Sequence, residues 1–283
     1  MIIRVPASSA NLGPGFDALG MALSLYADII VEPSQSASND DAPLVDENHP
    51  ASIAFRRGGG EGPVRVRSSI PVGRGMGFSG AMRVGGLVAA HSQRTGGDPD
   101  QLEHALPDLL RVATELEGHA DNVAASLYGG IVATAAGYAV RIPIALEPAM
   151  VLWVPSFATS TDESRRKLPE TVPLADAVHN IGRTALLVAA LAAGDIRSLR
   201  AATEDRIHQD LRLASAQPSR DALAAALDAG AWAAWLSGSG PSVAVMCAVD
   251  NADSIAAAMP ADGHSKVLSI DRVGALMLRR RDD

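Results

Sequence analysis

Ile70 to Leu87 read I-P-V-G-R-G-M-G-F-S-G-A-M-R-V-G-G-L. Four glycines lead into a stretch of helical periodicity, in which Ala81, Val84 and Val88 share one face. Glycines let backbone N–H groups approach an anion closely, and the first N–H groups of a helix lack partners within the helix. The stretch predicts a loop that feeds a helix N terminus, either as a phosphate site or as a tight strand-to-helix turn. It is not a Walker A loop, because no Lys-Ser or Lys-Thr pair follows the last glycine.

The composition around this loop indicates a soluble, cytoplasmic protein. The chain has 283 residues, of which 47% are hydrophobic, so it can form a sizeable core in one large domain or two medium ones. A net charge of −8 argues against a nucleic-acid or anionic-membrane surface. The sequence contains neither a membrane-spanning apolar run nor a signal-peptide core at its N terminus. The single cysteine, Cys247, lies in an apolar run, which favours a buried thiol.

Upstream of the loop, a second segment rich in glycine, proline, serine and asparagine covers residues 6–20. It follows a short strand predicted for residues 2–5. Asn11 and Asp17 lie among apolar positions within it. A long loop with anchored apolar positions is more often functional than disordered. Both residues are therefore candidates for ligand contact, with turn formation as the alternative.

Downstream, four polar residues adjoin the glycine at which a predicted helix ends: Glu117, His119, Asp121 and Asn122. Their functional groups suit contact with a metal ion or a polar substrate. The alternative is a capping cluster with solvated side chains. From the sequence alone these two interpretations are equally supported.

Three features of the other predicted helices allow structural predictions. Pro107 is expected to divide the helix over 100–117, because a proline suits the first turn of a second piece. The basic triplet at 165–167 is expected to form a solvated helix face. Arg183 interrupts an apolar helix over 174–191, so it is expected at an edge or paired with an anion.

Strands and helices do not alternate regularly along the chain, which favours an α+β fold. A seam at residues 142–148, I-P-I-A-L-E-P, is the expected domain boundary. We therefore predict one domain over residues 1–145 and another over residues 146–283. Residues 32–49 are rich in serine, aspartate and asparagine without periodicity, which predicts a surface excursion.

Three segments together resemble the GHMP kinases, named for galactokinase, homoserine kinase, mevalonate kinase and phosphomevalonate kinase. They are P-A-S-S-A-N-L-G-P-G-F-D at 6–17, the P-x-x-x-G-x-G-x-S loop at 71–79 and S-G-S-G-P-S at 237–242. Within that superfamily the chain most resembles the homoserine kinases. Further segments carry this likeness: E-G-H-A-D-N-V-A at 117–124, L-P-E-T-V-P-L-A-D-A-V-H-N at 168–180 and H-Q-D-L-R at 208–212. The resemblance spans nearly the whole chain.

The resemblance implies a two-domain α+β GHMP kinase fold, with an N-terminal domain of ribosomal S5 domain 2-like type and a ferredoxin-like C-terminal domain. It implies transfer of the γ-phosphoryl group of ATP to the side-chain hydroxyl of L-homoserine, for threonine biosynthesis. It implies Mg²⁺ near Ser79 and Glu117. Family members are often dimers, so a homodimer is expected. The implied contacts to the ATP phosphates are Pro71, Gly73, Arg74, Gly75, Met76, Gly77, Phe78, Ser79, Gly80 and Ala81.

Six residues match the family's homoserine-contacting positions: Asn11, Asp17, His119, Asn122, Arg183 and Arg212. The chemistry agrees, since Asp17 suits the ammonium, and Arg183 and Arg212 can hold the carboxylate bidentately. Phosphoryl transfer depends mainly on alignment and charge neutralisation, so no strong base is required. The residues expected to act in catalysis are Asn122, Asp121 and Arg183. Direct attack by the hydroxyl is favoured over proton acceptance by Asp121.

The phosphate loop departs from the family pattern at two positions. The family usually has G-L-G-S-S-A where residues 75–80 here read G-M-G-F-S-G, so Phe78 and Gly80 are unusual. Backbone donors survive both changes, whereas one hydroxyl near the phosphates is lost. Two alternatives therefore stay open: a GHMP kinase for another small hydroxylated amino acid or alcohol, and a non-catalytic ligand-binding relative.

Overall fold

The computed structural model describes residues 1–31, 42–158 and 161–278, which fold into two antiparallel sheets covered by helices. The strands are β1 Ile2–Ala10, β2 Leu19–Val31, β3 Val64–Ser68, β4 Ile131–Ala135, β5 Tyr138–Ile142, β6 Ala149–Pro155, β7 Ala233–Leu236, β8 Val243–Cys247, β9 Gly263–Leu268 and β10 Leu276–Leu278. The helices are α1 Pro50–Arg57, α2 Phe78–Thr95, α3 Pro99–Glu117, α4 Asp121–Tyr128, α5 Thr161–Arg166, α6 Leu174–Ala193, α7 Ile196–Ala202, α8 Gln209–Leu213, α9 Gln217–Asp228 and α10 Ala252–Ala258. The predicted α+β class is confirmed.

The first sheet has the strand order β10-β1-β2-β4-β5, with β3 paired to β2. Strand β1 runs to Ala10, well beyond the predicted end at Val5. The serines at positions 8 and 9 are buried there and hydrogen-bonded, which compensates for their polarity. The register with β2 shifts between Pro6 and Ala7, at the residue that has no N–H to donate.

Helix α2 packs closely on this sheet and carries the glycine-rich loop at its N terminus. Two glycines make the close approach possible. A Cβ atom on Gly85 would lie 2.4 Å from a side-chain carbon of Ile29, and one on Gly86 would lie 2.3 Å from the carbonyl oxygen of Ala51. Real Cβ atoms do not approach other atoms so closely, so these positions fix the distance of α2 from the sheet and from α1.

The second sheet has the strand order β7-β8-β6-β9. Helices α9 and α10 cover one face and share a separate apolar cluster with it, which includes Trp153, Ala222 and Ile255. Cys247 is buried in this cluster as expected, and burial raises the pKa of its thiol. No helix among the described residues is long and apolar enough to cross a membrane.

Some expectations differ from the structure. Helix α3 is continuous through Pro107, so the predicted division is wrong. Buried residues beyond the proline, Leu109 and Leu110, hold the second half against the core, which offsets the lost hydrogen bond. The domain limits stay a prediction, and the short strand β10 returns from the C-terminal half to pair with β1. Of the excursion predicted over 32–49, residues 32–41 lie outside the described residues.

Candidate active site

Loops from both sheets surround a cavity of about 160 Å³. Most of the residues that the sequence predicts for the site line this cavity: Asn11, Asp17, Pro71, Gly73, Arg74, Gly75, Met76, Gly77, Phe78, Ser79, Glu117, His119, Asp121, Asn122 and Arg212. Three predicted residues do not line it, namely Gly80, Ala81 and Arg183. The cavity therefore combines the glycine-rich loop with the acidic and basic side chains expected for substrate.

The glycine-rich loop approaches the cavity with its backbone. Gly73, Gly75 and Gly77 have positive φ angles of 66°, 68° and 65°. A Cβ on Gly75 would lie 2.1 Å from the carbonyl oxygen of Ser237. Only glycine therefore fits at position 75 against residues 237–242, which we call the second glycine loop. Helix α2 begins directly after Gly77, and no described side chain caps its N terminus. Its first N–H groups and the positive end of its dipole are thus available to an anion.

Gly80 and Ala81 are buried in the first turn of α2, whereas Phe78 and Ser79 just before them are partly exposed and line the cavity. The N–H of Ala81 donates to the carbonyl of Gly77 as part of the helix. Gly80 is buried against Val123 of α4, where an added Cβ would lie 3.3 Å from that side chain. Direct phosphate contact is therefore better supported for the residues before them.

Phe78, the unusual residue of the loop, lines the cavity and also packs against other parts of the chain. Its ring stands edge-on to His49, with centroids 6.1 Å apart and planes at 87°. It also packs against the apolar core of the first sheet. His49 in turn caps α1 by accepting a hydrogen bond from the N–H of Ala51. The ring therefore stabilises the start of α2.

Glu117 and Ser79, the expected metal neighbours, are in direct contact. The hydroxyl of Ser79 donates to Oε2 of Glu117 across 2.9 Å. Arg83, one turn further along α2, donates to the same oxygen. Within the described part of the chain, the other carboxylate oxygen accepts no hydrogen bond. A carboxylate and a hydroxyl are the hard oxygen donors that Mg²⁺ prefers, so this pair fits the metal.

The polar group at the start of α4 forms a connected cluster. The carboxylate of Asp121, 2% exposed, accepts hydrogen bonds from Nδ1 of His119 at 3.0 Å and from the N–H of Asn122 at 2.7 Å. The hydrogen bond to Asp121 raises the pKa of His119 and outweighs its desolvation. The side-chain oxygen of Asn122 accepts a hydrogen bond from Ser8 at 2.8 Å. These contacts hold His119 and Asn122 at the cavity wall in fixed orientations.

Asn11 links the loop over residues 11–17 to the second glycine loop. It is buried, has a φ angle of 70°, and donates from Nδ2 to the carbonyl of Gly238 at 2.9 Å. Its side-chain oxygen accepts the N–H of Asp17 at 3.1 Å. Asparagine tolerates the left-handed region better than most residues. This residue therefore sets the shape of the loop that presents Asp17.

Asp17 forms an ion pair with a residue that the sequence did not predict for the site. Both terminal nitrogens of Arg165 donate to its carboxylate, at 2.8 and 2.9 Å. The guanidinium lies over the ring of Phe16, 5.5 Å from its centroid. The expected solvated face is confirmed, because residues 165–167 are exposed, and Arg165 in addition lines the cavity. No local pattern reveals this contact, because 148 positions separate the two partners.

Arg212 also lies over the ring of Phe16. Its guanidinium carbon is 5.4 Å from the Phe16 centroid, and the residue is only 6% exposed. Its pKa is lowered, first by burial and then by the charge of Arg165. Its Nε atom is buried without a hydrogen-bond partner among the described residues. A buried cation with an unused donor suits a substrate carboxylate.

Arg183 lies elsewhere. Its guanidinium donates to the carboxylate of Glu204 at 2.7 Å, and the residue does not line the cavity. The general expectation that it pairs with an anion is met by a residue of this chain. Its predicted contact with substrate is therefore not supported by the geometry, whereas Arg165 lines the cavity. Arg83 was also missed, although its spacing of four residues from Ser79 on one helix indicates a shared face.

Two family models match the chain. The "GHMP kinases N terminal domain" covers residues 49–130, and "GHMP kinases C terminal" covers residues 187–265. The chain is 40% identical to a homoserine kinase of Streptomyces coelicolor, over 98% of this chain and 94% of that relative. The chain belongs to the homoserine kinase family. It is also 38% identical to a homoserine kinase of Thermus thermophilus, over 95% of each chain.

Solved structures agree with this family assignment. A homoserine kinase from Cytophaga hutchinsonii superposes with a TM-score of 0.83 at 28% identity, over 98% of this chain and 97% of that one. A mevalonate kinase from L. major gives a TM-score of 0.70 at 16% identity, which shows a common fold alone. The two-domain GHMP kinase fold that the sequence resemblance implied is thereby confirmed.

Proposed function

We propose that this protein transfers the γ-phosphoryl group of ATP to the side-chain hydroxyl of L-homoserine, with O-phospho-L-homoserine and ADP as products. The observation that carries the proposal is the composition of one cavity. The glycine-rich loop and the α2 N terminus line one part of it, and Asp17, Arg165 and Arg212 line another. The first part suits the phosphates of ATP, and the second suits the ammonium and carboxylate of an amino acid. Relatives named homoserine kinase, 38–40% identical, support the acceptor.

The acceptor is held by charge at both of its ionic groups. We assign the carboxylate of L-homoserine to Arg212 and Arg165, whose guanidinium groups both lie over the ring of Phe16. The ammonium is assigned to Asp17. Because Asp17 and Arg165 form a bidentate pair, they present both signs of charge to a zwitterion. Burial of Arg212 limits solvent screening, which strengthens its attraction for an anion.

Magnesium is assigned to Ser79 and Glu117, whose oxygens are 2.9 Å apart. When bound, the ion supplies positive charge that neutralises the phosphate oxygens. Arg83, which donates to the same carboxylate oxygen, holds Glu117 in place. The loop N–H groups and the α2 dipole bind and orient the phosphates.

The transfer step then depends on placement. Arg212, Arg165 and Asp17 fix the backbone end of the acceptor, so its hydroxyl extends towards the glycine-rich loop. Asn122 also lines the cavity and orients the hydroxyl or the transferred group. The hydroxyl attacks directly, and its proton passes to phosphate or solvent. Asp121 already accepts two hydrogen bonds, so it orients His119 and is less suited to take a proton.

Analysis of the product tests this function. Purified protein with Mg-ATP and L-homoserine is expected to form one phosphomonoester, identified by ³¹P NMR and mass spectrometry. Phosphorylation of the amine would give an acid-labile phosphoramidate and would contradict the assignment of the ammonium to Asp17. The matched analogues 3-aminopropan-1-ol, without the carboxylate, and 4-hydroxybutyrate, without the ammonium, are expected to be poor acceptors.

Two further expectations belong to this proposal. A homodimer follows from the family resemblance, and sedimentation equilibrium of the purified protein would test it. A cytoplasmic location follows from the composition and from the supply of ATP to the reaction. Fractionation of cells that produce the protein would test the location.

A further inference from the structure

His208 lies behind the acceptor end of the cavity and has no part in the function proposed so far. It precedes helix α8, and its side chain is fully buried. Its ring packs against that of Phe16, with centroids 5.2 Å apart. The residue does not line the cavity, but it contacts two elements that do, the loop over 11–17 and Arg212.

The partners of the two ring nitrogens fix the proton. Nε2 lies 2.8 Å from the carbonyl oxygen of Gly13, which can only accept a hydrogen bond. Nδ1 lies 3.1 Å from a terminal nitrogen of Arg212, which can only donate one. The hydrogen must therefore reside on Nε2, and Nδ1 must carry the lone pair. Only the neutral Nε2–H tautomer satisfies both partners.

The surrounding charges are compatible with a neutral ring. Burial lowers the pKa of His208, and the nearby Arg212 lowers it further. Asp205 acts in the opposite direction, and so does the more distant Asp17. The carboxylate of Asp205 is itself held by backbone N–H groups of residues 207–209 and by Asn180. Protonation of Nδ1 would turn its N–H towards an N–H donor of Arg212 and would set a positive charge beside that guanidinium.

The same nitrogen of Arg212 also donates to the carbonyl of Gly238 at 3.2 Å. His208 therefore links the loop that presents Asp17, the buried guanidinium and the second glycine loop. Gly13 packs closely on the backbone of Thr203, because an added Cβ there would lie 2.3 Å from the carbonyl oxygen of Thr203. One imidazole thus determines where the guanidinium of Arg212 stands relative to the acceptor loop.

We propose that His208 is a positioning residue for acceptor recognition: its Nε2–H holds the Gly13 carbonyl and its Nδ1 holds Arg212, so that the guanidinium is aimed at the carboxylate of the acceptor. This inference rests on the proposed function. Its consequence is selective: His208 acts on the affinity and selectivity for a carboxylate-bearing acceptor, and it has no direct effect on ATP.

Three variants separate positioning from general stability. His208→Leu removes both hydrogen bonds at similar volume, and His208→Gln keeps one donor and one acceptor. His91→Leu is the control, since this partly buried histidine lies near the C-terminal end of α2 and is not among the partners of Gly13 or Arg212 in the described part of the chain. His208→Leu is expected to raise KM for L-homoserine about tenfold and to leave KM for ATP within about twofold. His208→Gln is expected to recover part of the loss, and His91→Leu to change neither constant.

The acceptor panel gives a readout that a purely structural role would not move. The wild-type protein is expected to bind L-homoserine far more tightly than 3-aminopropan-1-ol, measured as an inhibition constant. In His208→Leu that preference is expected to fall about tenfold, because the misplaced guanidinium no longer favours the carboxylate. An unchanged preference, or equal losses for ATP and L-homoserine, would overturn the proposal.

A measurement on the wild-type protein is independent of whether the variants fold. Long-range ¹H–¹⁵N correlation spectra of histidine-labelled protein, assigned with His208→Gln, report the tautomer of each ring. The neutral Nε2–H form is expected for His208 at neutral pH. An Nδ1–H tautomer or an imidazolium would contradict the arrangement. If L-homoserine is not phosphorylated while the Nε2–H form is observed, the proposed function fails and the hydrogen-bond arrangement stands.

Discussion

Separate substitutions of Arg165 and Arg183 distinguish the acceptor site seen in the structure from the acceptor site that the sequence indicates. We predict that Arg165→Met weakens binding of L-homoserine and that Arg183→Met does not. Arg165 lines the cavity and holds Asp17 in a bidentate pair. Arg183 donates to Glu204 outside the cavity lining. The two substitutions remove the same charge from two helices that are neighbours along the chain.

The magnitude follows from burial. Removal of one partner from a fully desolvated charge pair costs about 2–5 kcal/mol, whereas an exposed pair contributes about 0–1 kcal/mol. The side chain of Arg165 is 45% exposed, which places it between these limits, at about 1–2 kcal/mol. This corresponds to an affinity loss of roughly 5- to 30-fold. Arg165→Met also frees the carboxylate of Asp17 to bind the ammonium of L-homoserine, which offsets part of the loss of affinity. For Arg183→Met the expected change is under about twofold.

Isothermal titration of L-homoserine into each variant, with ADP present, measures the affinity directly. A titration of ADP into each variant without L-homoserine serves as the control, because neither arginine is assigned to the nucleotide. A larger loss in Arg183→Met than in Arg165→Met would refute the assignment of the carboxylate. It would mean that α6 contributes to the acceptor site after all.

Three further predictions concern the loop and the α4 cluster. Gly75→Ala is expected to raise KM for ATP at least about tenfold, because the new Cβ would lie 2.1 Å from the carbonyl oxygen of Ser237. Gly137→Ala is the control, since Gly137 also has a positive φ but an added Cβ there would have no atom within 4 Å. This control variant should leave KM for ATP unchanged. Phe78→Ser is expected to fold and to bind ATP at least as well, with urea unfolding about 1–3 kcal/mol easier for loss of a half-buried ring; loss of ATP binding would contradict this. Since Asp121 raises the pKa of His119 above the ordinary 6.5, the interaction is complete below that pH and is lost as pH rises through the folded-state pKa. Urea unfolding across this range should therefore show a decline in stability that His119→Gln abolishes, and identical pH profiles would count against the contact.

The parts of the site that the sequence predicts are those with local signals. The glycine-rich loop is one, because glycine is needed where φ is positive and a Cβ would clash, as at Gly75 and Gly77. The cluster over 117–122 is another, because a helix end and the next helix start lie within a few residues. The family resemblance added roles for single residues, and most of those residues line the cavity.

The remaining parts depend on contacts between distant segments. Arg165 meets Asp17 across 148 positions, and His208 meets Gly13 across 195. Neither contact has a signature in its own neighbourhood, where a basic triplet indicates a solvated face. Arg183 illustrates the opposite case, since a charge in an apolar helix indicates a partner but does not identify which one. Pro107 shows that packing on both sides can override a local helix breaker.

We propose that one cavity joins an ATP phosphate site to an amino-acid site of homoserine type. A coupled ADP-release assay with Mg-ATP and L-homoserine, L-serine, L-threonine, mevalonate or galactose tests it most directly. We expect strong turnover with L-homoserine and little turnover with the other four acceptors. Measurable ATP binding without turnover of any acceptor, or strong turnover with mevalonate or galactose, would contradict it.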